Sequence, residues 1–194
     1  MPILNPANWC NLSNSRDNNE RFNIKSLIIY RDEDLLALNK PSGIAVHKGI
    51  KDKVSLDDFF DELCFELPRP PALAHRLDKD TSGCLILGRD RKALRKLGEL
   101  FRNQRIKKTY WAVVHGTPSE NSGTINLPLK KIDSENKKSW WMKIDESGAA
   151  SITDYRVLKV MGETSWLELT PKTGRTHQIR IHLSALGCPI VGDG

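Results

Sequence analysis

The sequence predicts an α+β fold with a mixed, mainly antiparallel sheet and flanking helices. Short apolar runs suited to strands are interleaved with amphipathic helical stretches. The gaps between successive runs are mostly those of hairpins, not of long crossovers. At 194 residues the chain is also long enough to bury a substantial core without disulfides or metal.

In chain order, residues 1–25 are polar and rich in Asn and Ser, and read as a flexible leader. Residues 26–194 then read as one domain. Leu27-Ile28-Ile29-Tyr30 and Leu35-Leu36-Ala37-Leu38-Asn39 form two strands around the acidic turn Asp32-Glu33-Asp34, with Pro41 and Gly43 stopping the second. Ser55 is placed to cap a helix carrying Leu56, Phe59, Phe60 and Leu63, which Pro68, Pro70 and Pro71 end. Cys84-Leu85-Ile86-Leu87 reads as a buried strand. Asp90 is placed to cap the clearest helix, with Ala93, Leu94, Leu97, Leu100 and Phe101 on one face. Tyr110-Trp111-Ala112-Val113-Val114 is a strand, residues 115–150 read as a basic loop, and Thr153–Val160 and Ser165–Thr170 are two more strands. Gly174–Ala185 begins as a turn and becomes a helix ended by Gly187.

Composition narrows the function. The net charge of +6 suits a polyanionic partner such as RNA, and equally suits a merely soluble basic protein. No apolar stretch approaches the roughly 20 residues of a membrane span, so no membrane partner is expected. Cys10, Cys64, Cys84 and Cys188 are widely separated, which disfavours a zinc knuckle and a secreted disulfide framework. A reducing compartment, the cytoplasm or an organelle matrix, is the expected location.

Three clusters could carry chemistry. In His75-Arg76-Leu77-Asp78-Lys79-Asp80-Thr81-Ser82-Gly83, carboxylates lie among cations just before an apolar strand. Cations beside a carboxylate favour its charged form, which is the form a nucleophile needs. A salt-bridged structural turn has the same composition, and on composition alone that alternative is the stronger. In Thr173-Gly174-Arg175-Thr176-His177-Gln178-Ile179-Arg180-Ile181-His182, a Gly-led helix start with Arg175 and His177 suits phosphate or carboxylate, while the two histidines lack metal-helix spacing. At helical spacing His177 and Arg180 share a face, as do Gln178 and His182. In Arg105-Ile106-Lys107-Lys108-Thr109-Tyr110-Trp111, cations lead into two aromatics that face opposite ways on a strand, so one can be core while the other lines a cleft. Asn39-Lys40-Pro41-Ser42-Gly43 is a turn with a lysine.

These segments together, with Lys107-x-x-Tyr110, resemble in order the RluA-type family of RNA pseudouridine synthases, from about Leu27 to the last residue. The resemblance implies a sheet lined by an RNA-binding cleft, with Asp78 as nucleophile. It further implies Tyr110 as the base-stacking group and late proton acceptor, and Arg180 as the partner of the Asp78 carboxylate. Arg76 would contact RNA beside the flipped nucleotide, with Lys40, Arg105, Lys107, Lys108, Arg175 and His177 as further RNA contacts. The implied reaction isomerises uridine with no cofactor and no metal, on large-subunit rRNA first and tRNA second. Many relatives carry an N-terminal S4-type domain, which this chain is expected to lack, so a monomer is expected. The family also continues past Val191-Gly192-Asp193-Gly194, so the C-terminus reads as shortened.

Overall fold

The computed structural model describes residues 22–49, 52–134 and 140–193. The expected leader lies outside them up to residue 21. The chain divides into two compact units, Met1–Arg105 and Ile106–Gly194.

The first unit begins with a short 3-10 turn at Ile24–Leu27, capped by the Asn23 side chain. Strands β1 (Ile28–Arg31) and β2 (Leu35–Lys40) form the expected hairpin. Asp32 builds its turn by accepting the backbone N–H groups of Asp34 and Leu35. β3 (Ala72–Leu73) and β4 (Gly83–Gly88) complete a four-stranded antiparallel sheet in the order β1-β2-β4-β3. Leu36 pairs with Leu87, Leu38 with Leu85, and Lys40 with Gly83. Period two therefore puts Lys40 on the same face as Leu36 and Leu38, and all three are fully buried.

The segment Leu56–Leu63 is helical as expected, but wound as a 3-10 helix. Its first two amides donate to the carbonyls of Ala45 and Val46. Helix α1 (Arg91–Arg102) matches its apolar stripe, burying Ala93 and Leu97, and Asp90 caps it by accepting the Ala93 N–H at 2.7 Å. The helix lies so close to β4 that a Cβ at Gly88 would stand 2.7 Å from the Leu94 Cα.

The second unit is a four-stranded antiparallel sheet in the order β5-β10-β9-β6 with a separate ribbon. β5 is Tyr110–His115, β6 is Ser122–Asn126, β7 is Leu129–Asp133 and β8 is Trp140–Ile144. β9 is Ile152–Met161 and β10 is Thr164–Pro171. Along β10, Ser165, Leu167, Leu169 and Pro171 are buried in strict alternation. Their face meets Val114, Ile125, Tyr155, Cys188 and the Leu183 of helix α2 (Gln178–Ala185).

The basic loop expected over 115–150 is corrected: three of the ten strands among the described residues lie there. β7 and β8 pair with each other, and most of their residues are exposed. A strand without a buried face needs no apolar alternation, so periodicity cannot reveal it. The antiparallel α+β class stands. Among the described residues no helix is long and apolar enough to cross a membrane.

Gly88→Ala should destabilise the protein by about 2 kcal/mol, because the obstacle is helix backbone and cannot swing aside. Urea unfolding followed by circular dichroism checks this; an unchanged midpoint would show that α1 can retreat.

Candidate active site

The first unit presents Asp78 on a turn that is tied down almost atom by atom. The polypeptide approaches beside β4, where Ala74 N–H donates to the Ile86 carbonyl. One residue later the ladder is continued by a side chain: His75 Nε2 accepts the Ile86 N–H at 3.0 Å, and its ring packs 4.8 Å from Phe101. Arg76 is exposed, Leu77 is buried as an anchor, and Asp78 follows half-buried. The turn closes through Thr81 N–H to the Asp78 carbonyl at 3.1 Å.

The Asn39–Gly43 segment leaves β2 at the same end of the sheet, since Lys40 pairs with Gly83. It grips the turn from beneath. The Lys79 carbonyl accepts from Lys40 Nζ at 2.9 Å and from Gly43 N–H at 3.0 Å. Ser42 Oγ donates to the Asp80 carbonyl at 2.8 Å, and Lys79 Nζ reaches Asp52 at 2.7 Å. Gly43 sits at φ +87°, which a side chain would strain. Lys40 also donates to the Pro41 carbonyl at 2.8 Å. Burial lowers its pKa to about 8, and the nearby Asp80 and Asp78 charges act in the opposite direction. The expectation that Lys40 is an RNA contact is corrected: its ammonium is enclosed and binds carbonyls, so it positions the turn.

In the second unit the expected residues fall around the loop before α2. The fully buried His182 bonds through Nδ1 to Thr153 Oγ1 and through Nε2 to the Leu127 carbonyl, both at 3.0 Å. Gln178 Nε2 donates to the same Thr153 hydroxyl at 2.9 Å and to the Ile152 carbonyl. Its Oε1 accepts from Thr173 Oγ1 at 2.7 Å and from Arg175 N–H at 3.0 Å. One glutamine thus fastens both sides of Gly174 and leaves the Arg175 side chain exposed. Lys108, expected at the RNA surface, is half-buried and donates to the Thr173 carbonyl at 2.9 Å; burial lowers its pKa. Lys107 and Arg105 are exposed.

His177 is not on a helix face with Arg180. It precedes α2 in a left-handed conformation, φ 54°, and stacks on Trp140 with ring centroids 5.9 Å apart. Arg180 makes a two-pronged ion pair with Asp193, at 2.8 and 2.6 Å. Tyr110 packs against the sheet core, while Trp111 projects from the other side and meets Trp166 edge-on at 5.2 Å. No group of three or more His, Cys, Asp or Glu among the described residues could hold a metal ion.

Sequence reading missed Ser42, Thr153 and Trp140. Their partners lie 38, 25 and 37 residues away along the chain, beyond any local pattern. The alternation Leu36, Leu38, Lys40 did carry the signal for a buried lysine.

The pattern of the RNA pseudouridylate synthase family matches residues 34–185. An uncharacterized RNA pseudouridine synthase from Zymomonas mobilis is 41% identical over 167 residues, covering 86% of this chain and 76% of that protein. Ribosomal large subunit pseudouridine synthase C of Buchnera aphidicola is 42% identical over 175 residues, covering 90% of this chain and 55% of that protein. The solved structure of human RNA pseudouridylate synthase domain containing 4 superposes with a TM-score of 0.73 at 30% identity, over 88% of this chain and 68% of that one. The chain belongs to the RNA pseudouridylate synthase family. It spans about three quarters of the first relative and little more than half of the second.

Stability should reveal the buried ammonium. The folded protein releases the Lys40 proton near pH 8, whereas the unfolded chain keeps it to about pH 10.5. The unfolded state then binds more protons, so this group's contribution to stability rises with pH across that window. Urea midpoints of wild type should therefore gain on those of Lys40→Met between pH 8 and 10.5; parallel curves would remove this account.

Proposed function

We propose that the chain converts uridine to pseudouridine in RNA, with Asp78 as the nucleophile. The observation that carries this reading is the tethered turn, which offers one half-buried carboxylate while its neighbours are committed to holding it. Family membership supports the reaction class. In it the N1–C1′ bond breaks, the uracil turns, and C5 bonds to C1′. The C5 hydrogen leaves as a proton and N1 gains one, so the reaction is an isomerisation that consumes no oxidant or co-reactant.

Asp78 either attacks the uracil ring or C1′, or removes a sugar proton. The reading gives Tyr110 the roles of stacking on the uracil and accepting the late proton, and gives Arg180 that of pairing with the Asp78 carboxylate. Arg76, Arg105, Lys107, Arg175 and His177 are assigned to the RNA around the target. A uridine must leave its stack to reach a half-buried carboxylate, so base flipping is part of the proposal. Large-subunit rRNA is the proposed target, because the Buchnera relative carries that name; tRNA is second. Bacterial relatives and a mitochondrial one from Arabidopsis thaliana favour the cytoplasm or an organelle matrix as its location.

RNA labelled with 5-tritiated uridine tests the chemistry. Wild type should release tritium and Asp78→Asn should fall to background while still binding RNA. Equal release by both would sink Asp78 as nucleophile. Tyr110→Ala should bind within a few-fold of wild type yet not turn over, and full activity would remove its assigned role. Separate rRNA and tRNA transcripts distinguish the two targets.

A further inference from the structure

The β7–β8 ribbon has two unlike faces, set by its register. Lys131 pairs with Met142 and Asp133 with Trp140, so these four share one face. On that face Trp140, itself 43% exposed, is held by its stack on His177 with planes 19° apart, and Lys131 Nζ lies 5.2 Å from the Trp140 ring. Lys130 pairs with Lys143 and Ile132 with Trp141, which puts these on the opposite face. There Trp141 is 50% exposed beside two lysines that stand directly across from one another.

That second face is costly for a structure with no ligand. Like charges directly opposite on paired strands destabilise them, and a half-exposed indole leaves apolar area in water. Lys130 donates to Ser147 Oγ at 2.9 Å and Lys143 meets Asp145 at 3.2 Å. Exposed contacts of this kind are worth little and can be exchanged for a phosphate at small cost. An indole face flanked by exchangeable cations, with its neighbouring indole pinned behind it, is complementary to an unpaired base and its phosphates.

We propose that the outward face of the β7–β8 ribbon is a nucleotide-stacking subsite, with Trp141 receiving an unpaired RNA base and Lys130 and Lys143 the flanking phosphates. The subsite takes its ligand from the RNA-modifying reading above. Trp140 and His177 act as its anchor, holding the ribbon so that Trp141 faces outward. Duplex RNA offers no free base face, so the subsite is selective for loops and bulges.

The test is fluorescence anisotropy with two RNAs: a stem-loop with unpaired uridines, and a fully paired duplex of equal length. Trp141→Ala should weaken stem-loop binding at least about fivefold and leave duplex binding within twofold. Trp141→Phe should recover most of the loss, whereas Trp141→Leu should not. The Lys130→Ala/Lys143→Ala double variant should lower the slope of log affinity against log salt by about 1.5. Stem-loop binding by Trp141→Ala within twofold of wild type, or an equal loss on duplex, overturns the proposal. If Trp141→Ala has a lowered thermal midpoint, the Phe and Leu variants decide, since both keep apolar cover; equal affinities for them overturn it. RNA binding by wild type without tritium release removes the catalytic reading and leaves the subsite standing. Failure of wild type to bind the stem-loop overturns the subsite itself.

Discussion

One carbonyl oxygen governs the arrangement of the first unit. The peptide between Lys79 and Asp80 accepts from the Lys40 ammonium and from the Gly43 N–H. Taking an ammonium out of water costs several kcal/mol, and the lysine is kept only where its donors are satisfied. Here two carbonyls accept from the ammonium, and nearby carboxylates oppose the loss of its charge. The cost of burial is thereby converted into position, because the turn cannot move without costing a buried cation one of its hydrogen bonds. On the proposed reading, an Asp78 carboxylate held this way needs no ordering when RNA arrives, and that is the form in which rigidity favours catalysis.

The second unit reaches the same end with neutral groups. Gln178 uses its amide as a two-sided clasp, and the Thr153 hydroxyl is shared between Gln178 and His182. Such a network is valuable only when every member is satisfied. Both units therefore follow one rule: the buried polar residue within each motif serves the backbone, and a neighbour is left exposed or half-exposed. Lys40 serves and Asp78 is presented; Gln178 serves and Arg175 is presented.

Much of this was legible in the sequence, for definite reasons. β2 and β4 show as apolar runs and α1, β9 and β10 as stripes because each buries apolar side chains, while β1 shows as an apolar run although most of its residues are exposed. The 3-10 winding of Leu56–Leu63 was not legible, since an amphipathic stripe does not distinguish the two windings over two turns. β6 and β7 were hidden because each buries a single residue, Ile125 and Leu129, and β8 because it buries none, so no pattern forms. At the site, composition could name Asp78, Arg175 and His177 but could not tell a presenting residue from a serving one. Lys40 and Lys108 look like RNA-binding cations in the sequence, and their partners at Lys79 and Thr173 are brought near only by the fold.

The tryptophan doublet of the ribbon has a consequence for how its pairing is specified. Slipping β8 by one residue against β7 would exchange its faces, and an indole would still occupy each side. Aromatic content is therefore blind to the reading frame of this ribbon. What fixes the frame must lie at the ribbon's base. There Leu129 is buried and exchanges backbone hydrogen bonds with Ala149 at 3.0 and 2.8 Å, and the Asp145 N–H donates to the Pro128 carbonyl. Apart from Trp140, which is held by His177, the outer part of the ribbon is thus free to vary in sequence while its frame is held from below. Its surface chemistry can change from one relative to another without any change in the strand pairing.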